Sequence, residues 1–207
     1  MKVTTSVLLT LMILLAGEDI GEKDWVLVKN KSNIEIYTRK SDKTEIKEIK
    51  AITTIKASMA ILKNMLMDVK TFPQWMPNVK STKILKKVSD KEIYYYVVVK
   101  VPWPFTNRDN ILHIKLLENP KLGITSIIIE SDPDYIPPAE GLVRIPKTSG
   151  KWEFTPVNND STNILLEYLV DPGGKVPVWV TNFFIADVPY KTILNLKEVA
   201  ESDIKHN

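Results

Sequence analysis

Four polar side chains in the predicted strands are of types that transfer protons. Tyr95 and Tyr168 are phenols, and Asp109 and Glu167 are carboxylic acids. A phenol and a carboxylate held together in an apolar cavity can serve as general acid and base. An enzyme that acts on a bound hydrophobic substrate is therefore one candidate function. It requires Asp109 or Glu167 to share a cavity with Tyr95 or Tyr168.

The sequence contains few residues or motifs that would support other kinds of catalysis or of metal, cofactor or nucleic-acid binding. There is no cysteine, and the two histidines are His113 and His206. Neither a nucleophile elbow nor an H-E-x-x-H motif occurs, so we predict no catalytic residue, no metal site and no cofactor. The "DPGGK" segment (171–175) lacks the spacing of a phosphate-binding loop and predicts a turn before a helix. The net charge is only +3 and the lysines are scattered among glutamates, which argues against a nucleic-acid partner.

Alternating apolar and polar residues predict most of the chain to be strands. The segments with this period are 34–39, 92–101, 109–117, 124–131, 150–155 and 163–170, and the ambiguous segment 45–56 also favours a strand. Short turn signals separate most of them, so we expect hairpins and an antiparallel meander. The Pro-rich segment 131–141 is long enough to be a flap.

Two segments have the helical period. Residues 58–69 begin at Ser58, a suitable N-cap, and residues 176–202 form a longer segment with an expected kink at Pro189. Strands, a helix, more strands and a long C-terminal helix predict one α+β domain over residues 25–203. Residues 18–24 are then a short linker and residues 204–207 a tail.

Residues 1–17 differ from the rest of the chain. Lys2 precedes an apolar run from Val7 to Leu15, followed by the small residues Ala16 and Gly17. This is the form of a secretory signal peptide, cleaved or uncleaved, or of a membrane-targeting segment; a plain N-terminal helix is the alternative. The signal reading predicts an exported protein, periplasmic or secreted, with association to the membrane through this segment.

Charged positions mark the water-facing side of each strand and so identify the inner side. The inner side is apolar but includes tyrosine, threonine, asparagine and arginine, which suits a cavity that orients a mainly apolar ligand. The alternative is a core filled by its own side chains, with each polar group paired locally. The predicted ligand-binding residues are Tyr95, Val97, Val99, Arg108, Asn110, Leu112, Ile127, Ile129, Trp152, Phe154, Tyr168, Val180, Phe183 and Phe184.

The adjacent charges Arg108 and Asp109 fall on opposite sides of their strand, so they are not expected to pair with each other. A buried guanidinium without a partner is costly. Arg108 is therefore predicted to form a core ion pair with an inward acid, or to contact a polar group of the ligand.

Four segments, in order, resemble the START domain family of lipid-transfer modules. They are "VPWPFTNRDN" (101–110), "FPQWMPNV" (72–79), "SGKWEFTPV" (149–157) and "DPGGKVPVWVTNFF" (171–184). The resemblance implies a helix-grip fold, in which a curved antiparallel sheet wraps around a long C-terminal helix and encloses a hydrophobic tunnel. It further implies binding of one lipid, such as a sterol, phospholipid or ceramide, for transport or sensing, with transient membrane contact. Because related helix-grip folds include cyclases, a cyclase or hydrolase acting on a bound hydrophobic substrate is the alternative. We expect the protein to be a monomer.

Overall fold

The structure, a computed structural model, describes residues 25–41, 46–174, 176–177, 181 and 183–203. Within these ranges, most of the chain forms a single antiparallel sheet. The strands are β1 (Val26–Lys31), β2 (Ile34–Lys40), β3 (Lys47–Ile55), β4 (Val79–Ser89), β5 (Glu92–Val99), β6 (Arg108–Asn119), β7 (Ile124–Ser131), β8 (Val143–Arg144), β9 (Lys147–Asn158) and β10 (Ser161–Asp171). The predicted segments 1–17, 18–24 and 204–207 lie outside the described residues.

The order of strands across the sheet is β1-β2-β3-β10-β9-β7-β6-β5-β4. Hairpins join neighbours from β4 to β7 and from β9 to β10, as the short turn signals predict. The short strand β8 pairs with the start of β6 in parallel. The central strands β7, β9 and β10 therefore lie far from both edges, and their inner sides form the floor of the interior.

Helices cover the inner side of this curved sheet. They are α1 (Met59–Met67), a 3-10 turn (Val69–Thr71), α2 (Phe72–Trp75), a π-helical segment (Phe183–Asp187) and α3 (Val188–Asp203). Ser58 caps α1 as predicted, since its side chain accepts a hydrogen bond from Ile61 N at 3.4 Å. No helix in the described ranges is long and apolar enough to cross a membrane.

One face of α3 packs against the sheet. Tyr190, Ile193, Leu196 and Ala200 are buried, at helical spacing. At its side, Asn195 Nδ2 donates to the Trp75 carbonyl at 2.6 Å, which fixes α3 against α2. The sheet and its C-terminal helix together confirm the predicted α+β architecture.

Two local features differ from the sequence-based expectations. Strands β1 and β4 were not expected, because both are edge strands with few buried residues and no clean alternation. At Pro189, where a kink was expected, the π-helical segment has just given way to α3. The 131–141 segment packs on the outer side of β5 and β6, with Tyr135 stacked on Tyr94 at 4.9 Å, so it does not cover the interior.

Candidate functional site

The inner side of the sheet changes from polar to apolar along its strands. At the end where β6 begins, Val97 lies opposite Asn110. Further along, Ile127 lies opposite Trp152, and Phe154 follows on the same side of β9. The side chains at the first end include amide and hydroxyl groups, and those at the other end are mostly hydrocarbon and indole, with the hydroxyl of Thr125 opposite Phe154. An amphiphilic molecule placed along the strands meets both kinds of surface.

Asn110 is fixed in one orientation at the polar end. Its Nδ2 donates to Thr148 Oγ1 at 2.9 Å, and Thr148 N in turn donates to Ser131 Oγ at 2.8 Å. The other amide atom, Asn110 Oδ1, is fully buried and has no hydrogen-bond partner among the described residues. Such an atom is rare in native proteins because water would have satisfied it in the unfolded chain.

Tyr95 and Tyr168 place two phenols inside the sheet. Burial raises the pKa of both hydroxyls above the ordinary value, and for Tyr95 the nearby Tyr168 adds to the rise. Both groups therefore stay neutral near pH 7. Gly150, directly across from Tyr168 on β9, leaves room for the phenol ring.

An apolar cavity of about 40 Å³ lies between the sheet and the first two helices. Its walls are Leu66, Phe72, Met76, Tyr95, Ile114, Ile127, Ile129 and Trp152. Drug-sized ligands occupy cavities of roughly 300–1,000 Å³. The cavity in this structure is therefore too small for a whole lipid.

Arg108 is buried, but it does not form the predicted core ion pair with any described residue. Its Nε donates to the Pro172 carbonyl at 3.3 Å, and its Nη1 donates to the Thr106 carbonyl. Burial lowers the pKa of the guanidinium below the ordinary value. Arg108 thus ties the loop before β6 to the turn after β10.

The four proton-transferring side chains do not converge. Asp109 faces the outer side of β6, where Arg144 binds both of its oxygens at 3.0 Å. Glu167 also faces outwards and lies 3.6 Å from Lys151. Tyr95 and Tyr168 face inwards, and of these four side chains only that of Tyr95 lines the cavity.

The structure places most of the predicted ligand-binding residues on the inner side. Tyr95, Val97, Arg108, Asn110, Leu112, Ile127, Trp152 and Phe154 are buried there, and Val99, Ile129 and Tyr168 are partly buried. Val180 lies outside the described residues, as do the side chains of Phe183 and Phe184. Of the residues missed, Ile114 was detectable from its parity with Leu112. Leu66 and Phe72 come from α1 and α2, and Met76 follows α2, and the sequence does not specify how these helices dock.

Comparison with known proteins agrees with this architecture. The START domain family model matches residues 10–189. A STAR-related lipid transfer protein from Xanthomonas axonopodis, a solved structure, has a TM-score of 0.78 and 30% sequence identity, and the match covers 86% of this chain and 98% of that one.

Two curated relatives are also similar in sequence. An uncharacterized protein of Pseudomonas aeruginosa is 31% identical over 90% of this chain and 91% of its own length. The phosphatidylcholine transfer protein of Mus musculus is 26% identical over 77% of this chain and 76% of its own length. Since the family model spans most of the residues that build the sheet and its helices, the chain belongs to the START domain family.

Proposed function

We propose that this protein binds one hydrophobic ligand, a lipid or sterol-like molecule, between the sheet and its C-terminal helix, for lipid transport or sensing. The observation that carries the proposal is the apolar cavity beneath α1 and α2, walled by Tyr95, Ile129 and Trp152 among others. Burial of apolar ligand surface there supplies affinity at roughly 25 cal/mol per Å². Membership of a family whose relatives include a phosphatidylcholine transfer protein supports the same proposal.

Binding by this mechanism requires the interior to widen. A cavity of about 40 Å³ has to expand several-fold around a lipid, and the helices that cover the sheet are the elements that can move away from it. The proposal therefore includes two states: a closed state with the small cavity, and an open state whose widened cavity holds a lipid. A bound ligand stabilises the loaded state by mass action.

Native mass spectrometry of the purified protein, followed by extraction and identification of what is bound, tests the proposal. We expect one lipid per chain after incubation with vesicles of mixed lipid classes. Ile129→Trp fills the cavity and should lower affinity on the order of tenfold, since overpacking an interior costs about 1–3 kcal/mol. Ile128→Trp, on the opposite side of the same strand, is the matched control and should bind normally. Failure to load any lipid class, or equal loading of both variants, would reject the proposal.

The small cavity favours a second candidate, an interaction module whose interior is filled by its own side chains. In that case the protein binds no lipid, and incubation with lipids leaves its unfolding midpoint unchanged. The same vesicle experiment distinguishes the two functions, because a loaded lipid raises the midpoint in proportion to its free concentration.

Export and membrane contact complete the proposal. The apolar run from Val7 to Leu15 supports export to the periplasm or medium. A fusion of residues 1–24 to alkaline phosphatase, which is active only outside the cytoplasm, tests this part separately. Activity above that of a fusion lacking Val7–Leu15 is expected, and equal activity would remove export from the proposal.

A further inference from the structure

The unpaired Asn110 Oδ1 is a prepared hydrogen-bond acceptor. The Asn110 side chain is 3% exposed, and Thr148 holds its Nδ2, so the free oxygen has a fixed position. Thr148 is itself anchored through its backbone N–H to Ser131 Oγ. A buried acceptor without a donor lowers the free energy of unfolding. The unliganded protein therefore gains no stability from this oxygen.

This acceptor lies on the same side of the sheet as the apolar cavity. Asn110 and Ile114 are four residues apart on β6, which separates them by about 13 Å along the strand. Leu112, between them, is also buried and faces inwards. A molecule with its apolar body in the cavity and a polar group about 13 Å away brings that group to Asn110.

Arg108, two residues before Asn110 on the inner side of β6, is charged and donates to two backbone carbonyls. Arg108 uses its Nε and Nη1 for the carbonyls of Pro172 and Thr106. Asp109 is the other buried charged residue in the described ranges. It lies on the outer side of the sheet and forms a salt bridge with Arg144. A carboxylate head has only acceptor atoms, so it cannot complete the hydrogen bonding of Asn110 Oδ1, which is itself an acceptor.

We propose that the ligand carries an uncharged hydrogen-bond donor, a hydroxyl or an amide N–H, which binds Asn110 Oδ1. This inference rests on the proposed function and names the class of its ligand: a neutral amphiphile rather than a fatty-acid anion. The donor completes the hydrogen bonding of Asn110, and the apolar body fills the expanded cavity.

A matched set of ligands with one chain and different heads tests the inference on the unaltered protein. The probes are 1-hexadecanol, hexadecyl methyl ether, hexadecanoate and hexadecane, delivered from methyl-β-cyclodextrin, with occupancy read by native mass spectrometry. The methyl ether keeps the oxygen but has no donor. We expect the alcohol to bind about tenfold more tightly than the ether, and more tightly than the carboxylate.

Two variants locate the effect. Asn110→Leu removes the acceptor, so the alcohol should lose its advantage over the ether while hexadecane binding is kept. The unliganded variant should lose little stability, because removal of the unsatisfied oxygen offsets the loss of the hydrogen bond to Thr148. Thr162→Val is the control: its buried hydroxyl donates to the Ala57 carbonyl at 2.8 Å, so its loss lowers stability without changing the alcohol preference.

Equal binding of alcohol and ether, or tighter binding of hexadecanoate, overturns the inference and leaves the proposed function standing. An alcohol preference that survives in Asn110→Leu also overturns it. If no probe binds and the mixed vesicles load no lipid either, the proposed function fails and this inference fails with it.

Discussion

Gly150 shows how a single residue shapes the interior. A Cβ at this position would lie 2.6 Å from the Glu167 carbonyl oxygen and 3.0 Å from Cδ2 of Tyr168. The first contact is with backbone, which cannot rotate away. The glycine of the "SGKW" segment is therefore required by the close packing between β9 and β10, and it leaves room for the Tyr168 ring.

Gly150→Ala should accordingly lower the free energy of unfolding by about 1–3 kcal/mol, because the two strands must separate or Tyr168 must change rotamer. Urea denaturation followed by tryptophan fluorescence measures the change. Ser149→Ala, one residue earlier on the outer side of β9, is the control and should shift the midpoint little. An unchanged midpoint for Gly150→Ala would show that the contact is relieved without cost.

Residue parity accounts for the part of the site that the sequence predicted correctly. Charged residues such as Glu92 and Lys115 identify the outer sides of β5 and β6, so Tyr95 and Asn110 follow as inner residues. The same rule places Trp152 inside. Parity does not indicate which partner a side chain contacts. The unpaired oxygen of Asn110 and the carbonyl contacts of Arg108 therefore could not be predicted from the sequence.

The segment between β7 and β9 is held to the outer side of the sheet by one arginine. Arg144 binds Asp109 with two hydrogen bonds and donates to the carbonyls of Pro133, Ile136 and Pro137. Tyr96 also donates to Asp109 at 3.0 Å. Burial, and then this hydrogen bond, raise the pKa of Tyr96 to about 12, so the donor stays protonated.

Asp109→Asn should therefore be strongly destabilising, by about 3–5 kcal/mol, because it leaves the largely buried Arg144 without a counter-charge. Urea denaturation measures the loss, and limited proteolysis within 132–142 should become faster. Glu153→Gln breaks the more exposed pair with Lys151 and is the control, with an expected cost below about 1 kcal/mol. Similar costs for the two variants would contradict the assigned role of Arg144.

Strands were predictable from the sequence where one side is buried and the other faces water. β5, β6, β7 and β10 meet that condition, and their spans were predicted to within a few residues. The edge strands do not: Val26, Leu27 and Val28 of β1 are all exposed, and β4 contains several lysines. The salt bridge between Asp109 and Arg144 was also unpredictable, because it joins residues brought together by the path of a loop.

At the scale of the whole molecule, the two ends of the sheet differ. The loop between β5 and β6 is at the end where Arg108 and Asn110 begin the inner side, and it presents Trp103 with 90% of its surface exposed. Tryptophan is suited to the boundary between membrane and water. The polar end of the interior therefore lies beside an exposed tryptophan, which we propose as the point of membrane contact.

Trp103→Ala should slow ligand loading from vesicles and lower vesicle binding, on the order of tenfold, while leaving the free energy of unfolding unchanged, because the side chain is almost entirely in water. Co-sedimentation with vesicles and the rate of lipid uptake, followed by native mass spectrometry, measure the two effects. Leu122→Ala is the matched control: Leu122 is 66% exposed, but it lies in the turn between β6 and β7 at the opposite end of the sheet. If the two variants lose vesicle binding equally, membrane contact is not directed to the polar end, and a ligand head at Asn110 would have to enter by another route.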